Sequence, residues 1–374
     1  AWLRAVLVAT LVALAWAAAW AREEDASEIL VAVAGPMSGQ YAQFGKNMLA
    51  GAQLAVDNIN ATGRIGKRKL KLLIENDACD RVQATRIAEQ LVKQNVALVV
   101  GHHCDSASIA AAPVYAAASI VQISPSTTEA SFTDKRAGPT TFRLAYRNED
   151  EGVVSGTYLA ERFAGKRVAI LHDRTVVGIH LSAQTKKAMN AAGLVETLYS
   201  GFIAGERDYS QLARDLKAYR IDAVYLGAYP SEVDLIYSAL RSEGLTMTVV
   251  GSNLLSGAFM KTPVSPLQDG VLLSTIAGSP LQSGAMTSGM GRATGDTLAL
   301  IKVTTYAAFE IWAQAMQSTT VSAGTRVTGE IAVKIQQGRF QTALGSVSFN
   351  KKGDAMVPFF TMLVSKGGQP IPAP

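Results

Sequence analysis

The chain contains two cysteines, Cys79 and Cys104, and their surroundings make this pair the first candidate for chemistry. Each follows a largely apolar run and precedes the expected start of a helix, which in a parallel sheet is the carboxyl edge where ligands bind. Cysteines on neighbouring loops of that edge are well placed to form a disulfide, which would stabilise the fold by roughly 3 kcal/mol in the chain-entropy model. A metal site is disfavoured, because His102, His103 and Cys104 are consecutive and cannot all face one ion.

Residues 1–21 have the pattern of a secretory signal peptide. Arg4 precedes an apolar run over 5–15, and residues 19–21 form a small-x-small cleavage site. An uncleaved membrane anchor is the alternative, but even when extended to residue 21 the apolar run reaches only the lower length limit for a membrane span. Cleavage and export predict a periplasmic protein, and an oxidising compartment suits one disulfide better than two free thiols.

Charge and motif content argue against several classes of function. The 374 residues carry a net charge of +5 with dispersed basic residues, and the densest cluster, 67–69, falls in a predicted turn. We therefore expect no nucleic-acid partner. The sequence has no Gly-x-Ser-x-Gly elbow, no phosphate-binding loop and no His-Glu-x-x-His motif, so we expect no enzyme activity, no catalytic residue and no cofactor.

Hydrophobic periodicity alternates between strand and helix in two successive series. The strands are predicted at 29–34, 70–74, 97–100 and 120–124 in the first series, and at 167–172, 195–199, 223–226 and 246–250 in the second. Helical spacing separates the strands, as expected for parallel sheets covered on both faces. Residues 256–300 have weak periodicity, and the segments after 270 must add to the two lobes already begun.

The predicted fold class is therefore α/β, with two doubly wound parallel-sheet lobes joined by a multi-crossing hinge. Lobe 1 is expected to contain 28–146 plus about 277–345, and lobe 2 to contain 147–276 plus about 346–374. Several chain crossings would support closure of the lobes on a ligand bound between them.

Short motifs occur along the chain in a definite order, including Gly35-Pro36-Met37-Ser38-Gly39, Asp77-Ala78-Cys79-Asp80, Gly101-His102-His103-Cys104, Ala169-Ile170-Leu171-His172-Asp173 and Ala204-Gly205-Glu206-Arg207-Asp208-Tyr209. This order resembles the periplasmic leucine/isoleucine/valine-binding protein family of type I periplasmic binding proteins. The resemblance covers nearly the whole chain after the signal peptide, and only residues 256–300 match weakly. It implies a monomer that binds a small-molecule solute and delivers it to an inner-membrane ABC permease.

The resemblance also implies a set of binding residues. Ser126 and Thr128 stand where family members contact the ligand carboxylate through a backbone group and a threonine hydroxyl. Phe44 matches an aromatic wall of the side-chain pocket, and Tyr229 matches a tyrosine of the second lobe that closes over the ligand. From the residues alone, the Thr128 hydroxyl could instead satisfy its own turn, and either aromatic side chain could belong to the core.

Three positions depart from the amino-acid-binding pattern. Asp105 replaces a small hydroxyl residue that contacts the ligand; we interpret it as a helix N-cap that leaves Ser106 for the ligand. Asn253 replaces the acidic residue that pairs with the ligand ammonium, and Val177 replaces a tyrosine. These changes favour a carboxylate without an α-ammonium, with aromatic acids among the options. An amino-acid-like ligand with its amine directed at Asp105 is the alternative.

Two biological roles fit the residues. The first is the solute-binding protein of an ABC importer, which captures its ligand by hinge closure without making or breaking a bond. The second is a periplasmic sensor that presents the bound solute to a membrane receptor. The predicted signal peptide fits both roles and argues against a cytoplasmic sensor.

Overall fold

The computed structural model describes residues 28–255, 268–277, 297–317, 328–367 and 369–374. The predicted signal peptide and most of the weakly periodic segment 256–300 lie outside the described residues. Among the helices of the described ranges, none has the length and apolar character needed to cross a membrane.

Strands and helices alternate along the chain, as the periodicity predicts. The strands are β1 (Glu28–Gly35), β2 (Lys69–Asn76), β3 (Leu98–Gly101), β4 (Val121–Ser124), β5 (Thr141–Arg143), β6 (Val168–His172), β7 (Leu198–Gly201), β8 (Ala223–Gly227), β9 (Thr248–Gly251), β10 (Leu272–Ile276), β11 (Phe340–Thr342), β12 (Gly345–Val347), β13 (Phe360–Lys366) and β14 (Gln369–Pro372). The helices are α1 (Ala42–Thr62), α2 (Arg81–Lys93), α3 (Asp105–Ala117), α4 (Ser131–Asp134), α5 (Asp150–Arg162), α6 (Val176–Ala191), α7 (Ser210–Ala218), α8 (Pro230–Ser242), α9 (Thr297–Gln317) and α10 (Thr328–Gln337).

The first sheet is parallel and has the strand order β2-β1-β3-β4-β5. Its central strands are buried on both faces because helices cover them, and β3 and β4 have no exposed residue. Helix α2 contributes an apolar stripe that packs into this core, and its first turn is capped by Asp80, which accepts a hydrogen bond from the Gln83 backbone N–H. The predicted doubly wound arrangement is confirmed here.

The second sheet has the order β14-β13-β10-β9-β8-β6-β7. Strands β6 to β10 are parallel, but β13 runs antiparallel to both β10 and β14. The alternating periodicity of the sequence did not predict this antiparallel part of the sheet. Only two residues separate β13 from β14 in the sequence, and antiparallel neighbours need no crossover helix.

The chain divides into two compact units, which are 1–146 with 300–357 and 147–299 with 358–374. In this division residues up to 357 group with the first unit, and the lobe bounds expected from the sequence stay predictions. Asp354 shows why this segment stays with the first unit: its carboxylate accepts hydrogen bonds from Arg143 Nε at 2.9 Å and from the Thr133 hydroxyl at 2.6 Å. All three side chains are buried. The division at 299/300 falls close to residues 278–296, which lie outside the described residues.

Cys79 and Cys104 form a disulfide, with their Cα atoms 5.4 Å apart, as predicted. A fully buried polar network lies beside it. His102 joins the Asp77 carboxylate at 2.6 Å through Nδ1 and the Tyr115 hydroxyl at 3.2 Å through Nε2. Burial raises the pKa of the Tyr115 hydroxyl, and the negative charge of Asp77 adds to this shift. The bond and the network together hold the loops after β2 and β3.

Candidate functional site

The predicted site residues of the first unit gather at one sheet edge. Strands β1, β3 and β4 are adjacent in the sheet and parallel, so their carboxyl ends meet at the same edge. Phe44 lies in the first turn of α1 after β1, and Asp105 and Ser106 open α3 after β3. Ser126 and Thr128 follow β4. In open α/β sheets this edge is where ligands bind.

His103 connects two of these residues. Its ring stacks on Phe44 with the ring centroids 4.4 Å apart and the planes inclined by 18°. Its Nδ1 lies 2.9 Å from the Ser126 hydroxyl oxygen. The sequence analysis considered His103 only as a metal ligand, which it disfavoured, whereas the structure places it against Phe44 and Ser126. Its position at the end of β3, directly before Cys104, was the signal that could have found it.

Burial lowers the pKa of His103, although the nearby charges of Asp77 and Asp105 act in the opposite direction. The imidazole is therefore neutral near pH 7. A neutral imidazole carries one N–H, so it donates through one nitrogen and accepts through the other. The bond to Ser126 accordingly fixes the orientation of the ring as well as its position.

Asp105 has a different role from the one predicted. It is not the N-cap of α3, because Cys104 holds that position and Asp105 is the first helical residue. Its Oδ1 instead accepts hydrogen bonds from the backbone N–H groups of Thr128 at 2.8 Å and Glu129 at 3.2 Å. The carboxylate thus ties the loop after β4 to the start of α3, where the helix dipole stabilises a negative charge.

The turn after β4 is satisfied without the Thr128 hydroxyl. Ser124 Oγ accepts from the Thr127 backbone N–H at 3.1 Å and donates to the Thr127 hydroxyl at 2.6 Å. Thr127 is fully buried, whereas Thr128 is half-buried and Ser106 is exposed. The predicted ligand contacts of Thr128 and Ser106 stay predictions, and Thr127 fills the structural role that was the alternative for Thr128.

Arg143 is a positioning residue that the sequence analysis missed. Its guanidinium donates to the backbone carbonyls of Thr127 at 3.2 Å and Glu129 at 2.9 Å, in addition to its pairing with Asp354. A buried guanidinium with fixed donors holds a loop rigidly. The loop that carries Ser126 and Thr128 is therefore held from Arg143 on β5 and from Asp105 on α3.

The second unit brings its three predicted residues to one edge as well. Val177 lies in the first turn of α6 after β6, Tyr229 is the N-cap of α8 after β8, and Asn253 follows β9. Strands β6, β8 and β9 are neighbours in that sheet. Val177 and Tyr229 each leave 43% of their surface exposed, so neither is an ordinary core residue.

Glu151 in α5 is a buried carboxylate that the sequence analysis did not identify. Its Oε1 accepts hydrogen bonds from the Asn253 backbone N–H at 2.6 Å and the Ser274 hydroxyl at 2.7 Å. Burial raises the pKa of Glu151, against these two hydrogen bonds and the charge of His180. Asn253 replaces an expected acidic residue, but a carboxylate nevertheless lies beside it.

Within the described ranges, no group of three or more His, Cys, Asp or Glu side chains is arranged to hold a metal ion. The two edges instead offer hydroxyls, aromatic rings and carboxylates. These groups can bind a small polar molecule through hydrogen bonds and apolar contact. Two α/β units, each with a mostly parallel sheet and such an edge, have the architecture of type I periplasmic binding proteins.

The sequence comparisons identify the family. The profile of the periplasmic binding protein family matches residues 28–369, and the chain belongs to this family. The Leu/Ile/Val-binding protein homolog 2 of Brucella abortus (strain 2308) is 32% identical over 353 residues, which cover 92% of each chain.

Solved structures with this fold hold different ligands. An ABC transporter substrate-binding protein from Desulfitobacterium hafniense in complex with Leu has a TM-score of 0.64 and 20% identity, covering 92% of this chain and 100% of that one. A solute-binding protein of an ABC transporter from R. palustris in complex with benzoate has a TM-score of 0.57 and 16% identity, covering 92% and 95%. At these identities the similarity shows the fold alone.

Proposed function

We propose that this chain is the periplasmic solute-binding protein of an ABC importer and that it binds a small organic carboxylate lacking an α-ammonium. The observation that carries the proposal is the gathering of Phe44, Ser126 and Thr128 around one sheet edge, with His103 in contact with the first two. Family membership supports the solute-binding role. The ligand would be held by the first unit and enclosed when the second unit closes over it, without any chemical reaction.

Four residues support the choice of an acid over an amino acid. Position 253 carries a neutral amide instead of the acid expected for an ammonium partner, and Val177 adds exposed apolar surface. The stacked rings of Phe44 and His103 form a flat wall that suits a planar solute. Together these features favour aromatic acids within the proposed class.

An amine-bearing solute is the second candidate. The observation in its favour is the pair of carboxylates at the two edges, Asp105 in the first unit and Glu151 in the second. Each carboxylate accepts two hydrogen bonds, which fix its position near the predicted ligand contacts. An ammonium group would gain a charge-assisted bond from either carboxylate.

The deciding experiment compares solutes that differ only in the group in question. Leucine and its α-keto acid, 4-methyl-2-oxopentanoate, share a carboxylate and a side chain, and benzoate tests the planar class. We expect the two acids without an α-amino group to raise the melting temperature and to bind more tightly in calorimetry than leucine. Leucine binding that exceeds both acids would contradict the proposed ligand class. Mass spectrometry of solute released on denaturation would then identify the natural ligand.

The variant Asn253→Glu sharpens this test. A restored acid should favour leucine by about 1.5–3 kcal/mol, which is roughly tenfold to a hundredfold in affinity. Val177→Ile is a matched control, since it alters the same edge without adding charge. If Asn253→Glu leaves the ratio of leucine affinity to keto-acid affinity unchanged, residue 253 does not contact the amino group of leucine.

The importer and sensor roles are separated by a transport measurement. Uptake of the labelled solute into cells should require both this protein and its cognate permease, whereas a sensor would change gene expression without changing uptake. Small-angle scattering should show a smaller radius of gyration with ligand, as expected for closure. N-terminal sequencing of the protein from a periplasmic fraction would test the predicted cleavage after residue 21.

A further inference from the structure

The first-unit edge presents a charge problem for the proposed ligand. Asp105 is half-buried, and its carboxylate already accepts the backbone N–H groups of Thr128 and Glu129. These groups are therefore not available to an incoming carboxylate. Two carboxylates near one another repel unless a positive charge is added or one of them is protonated.

His103 is the titratable base placed to supply that charge. Its ring is fixed by stacking on Phe44 and by the 2.9 Å contact between Nδ1 and the Ser126 hydroxyl. The charged groups that act on it are Asp77, from the loop after β2, and Asp105, from α3. The remaining two partners, Phe44 on α1 and Ser126 after β4, carry no charge. An imidazolium would therefore be stabilised by Asp105 and by Asp77, which is also paired with the buried His102, and a bound carboxylate would add to this effect.

We propose that His103 takes up one proton as the carboxylate of the solute binds at Ser126, so that the protein captures an organic anion together with a proton. This inference rests on the proposed function, in that the solute must carry a carboxylate. The proton comes from the solvent and adds to the unprotonated ring nitrogen, and no other bond changes. Once both nitrogens carry hydrogen, Nδ1–H donates to Ser126 Oγ, and the hydroxyl hydrogen of Ser126 is free to donate to the solute carboxylate.

The pH dependence of solute binding follows from how the pKa of His103 shifts in the free protein and on binding. In the free protein burial lowers the pKa of His103, so the ring is neutral near pH 7. A bound carboxylate raises that pKa. At pH values between the pKa of His103 in the free protein and its pKa in the complex, affinity for the solute increases as the pH falls. The increase is up to about tenfold per pH unit for one linked proton. The affinity becomes constant below the lower pKa.

Calorimetry measures this proton directly. Benzoate, 4-methyl-2-oxopentanoate and leucine are titrated near pH 7 in two buffers with different ionisation enthalpies, and the difference in heat gives the protons taken up. We expect an uptake that approaches one proton per bound acid in the wild-type protein. His103→Gln should bind the same acid without proton uptake and with an affinity that no longer rises at lower pH. His180→Gln, a change at an exposed histidine of the second unit, should behave like the wild type.

Further variants and a spectroscopic readout guard against a folding artefact. NMR of labelled histidine should show one of the four side chains becoming protonated on binding, and its signal should be missing in His103→Gln. Ser126→Ala keeps the imidazole but removes its partner, so it should weaken binding and reduce proton uptake. Both variants must keep the melting temperature of the wild-type protein within a few degrees.

The outcomes separate this inference from the proposed function. If a carboxylate binds without proton uptake, or if His103→Gln takes up as many protons as the wild type, the role of His103 is refuted and the solute class stands. If only leucine binds, the solute class fails, but the proton uptake measured with leucine still decides the role of His103. If none of the three probes binds, both proposals fail.

Discussion

The two sheet edges that carry the predicted binding residues are built differently. In the first unit the side chains contact one another: Phe44 stacks on His103, His103 reaches Ser126, and Asp105 holds the backbone of Thr128. In the second unit Val177 and Tyr229 are each 43% exposed, and two buried carboxylates accept hydrogen bonds, Glu151 from the Asn253 N–H and Asp173 from the Thr175 N–H. In the first edge the predicted binding residues thus contact one another, whereas in the second the buried carboxylates contact backbone and hydroxyl groups, and Val177 and Tyr229 stay partly exposed.

This difference shows how recognition can be distributed within one fold. A preorganised edge loses little entropy on binding, and its hydrogen bonds determine which groups fit. Exposed apolar residues contribute mainly by being removed from water when the ligand is enclosed. We therefore expect changes in the first unit to affect stability and selectivity together, and changes in the second unit to affect mainly affinity.

The largest effect on stability should come from replacing Arg143, whose guanidinium holds the loop after β4 at the first edge. In Arg143→Met, Asp354 would be left as a buried charge without its guanidinium, and the carbonyls of Thr127 and Glu129 would lose their donor. We expect a loss of about 3–5 kcal/mol in unfolding free energy, measured by urea denaturation.

The control for this variant is Lys71→Met, which removes an exposed ion pair with Glu28. It should cost no more than about 1 kcal/mol. Equal losses in the two variants would show that the buried pair does not hold the edge, and the contrast between the units would then lose its main structural support.

The second prediction concerns the disulfide that links the loops after β2 and β3. The double variant Cys79→Ser/Cys104→Ser should lose roughly 3 kcal/mol of stability, because the bond restricts the unfolded chain. Titration of the native protein with a thiol reagent should find no reactive cysteine. Two reactive thiols in native protein isolated from the periplasm would contradict the prediction and weaken the argument for export.

The sequence predicted the architecture better than the site. Alternating periodicity was sufficient for the parallel strands, because burial on both faces produces long apolar runs such as that of β1. It did not predict the antiparallel strand β14, because Pro370 and Pro372 argue against a strand in a sequence pattern and an edge strand needs few apolar residues.

The contacts made by the predicted binding residues could not be derived from the sequence. Resemblance to the family predicted Phe44, Ser126 and Thr128 as ligand contacts, and the structure places all three after neighbouring strands of the first sheet. It missed His103 and Glu151, whose roles depend on contacts with residues 59 and 102 positions away along the chain. Asp105 was interpreted as a helix cap for the same reason, since its partners lie 23 and 24 residues later in sequence.

Asp105→Asn tests whether the first edge discriminates by charge. The amide oxygen can still accept from Thr128 and Glu129, so we expect only about 1–2 kcal/mol of lost stability as two charge-assisted bonds become neutral. Benzoate should bind more tightly, by roughly tenfold, because one of two nearby anions is gone. Asp80→Asn is the control, as that carboxylate caps α2. Unchanged benzoate affinity in Asp105→Asn would place the solute carboxylate away from this residue.

The smallest effect is expected from Glu151→Gln in the second unit, and its sign depends on pH. Because burial raises the pKa of Glu151 in the folded protein, the folded state binds more protons than the unfolded state between the two values. Stability should therefore decrease as the pH rises from about 4.5 through the folded pKa. The amide removes this dependence and can still accept from the Asn253 N–H, so at neutral pH the variant should gain on the order of 1 kcal/mol.

Urea denaturation between about pH 4.5 and pH 8 would measure both slopes, with the exposed Glu161→Gln as control. A variant that is less stable than the wild type at neutral pH, with the same slope, would mean that the carboxylate is stabilised where it lies. Glu151 would then have the stronger claim to be the partner of a solute ammonium, and the second edge would be as firmly organised for charge as the first.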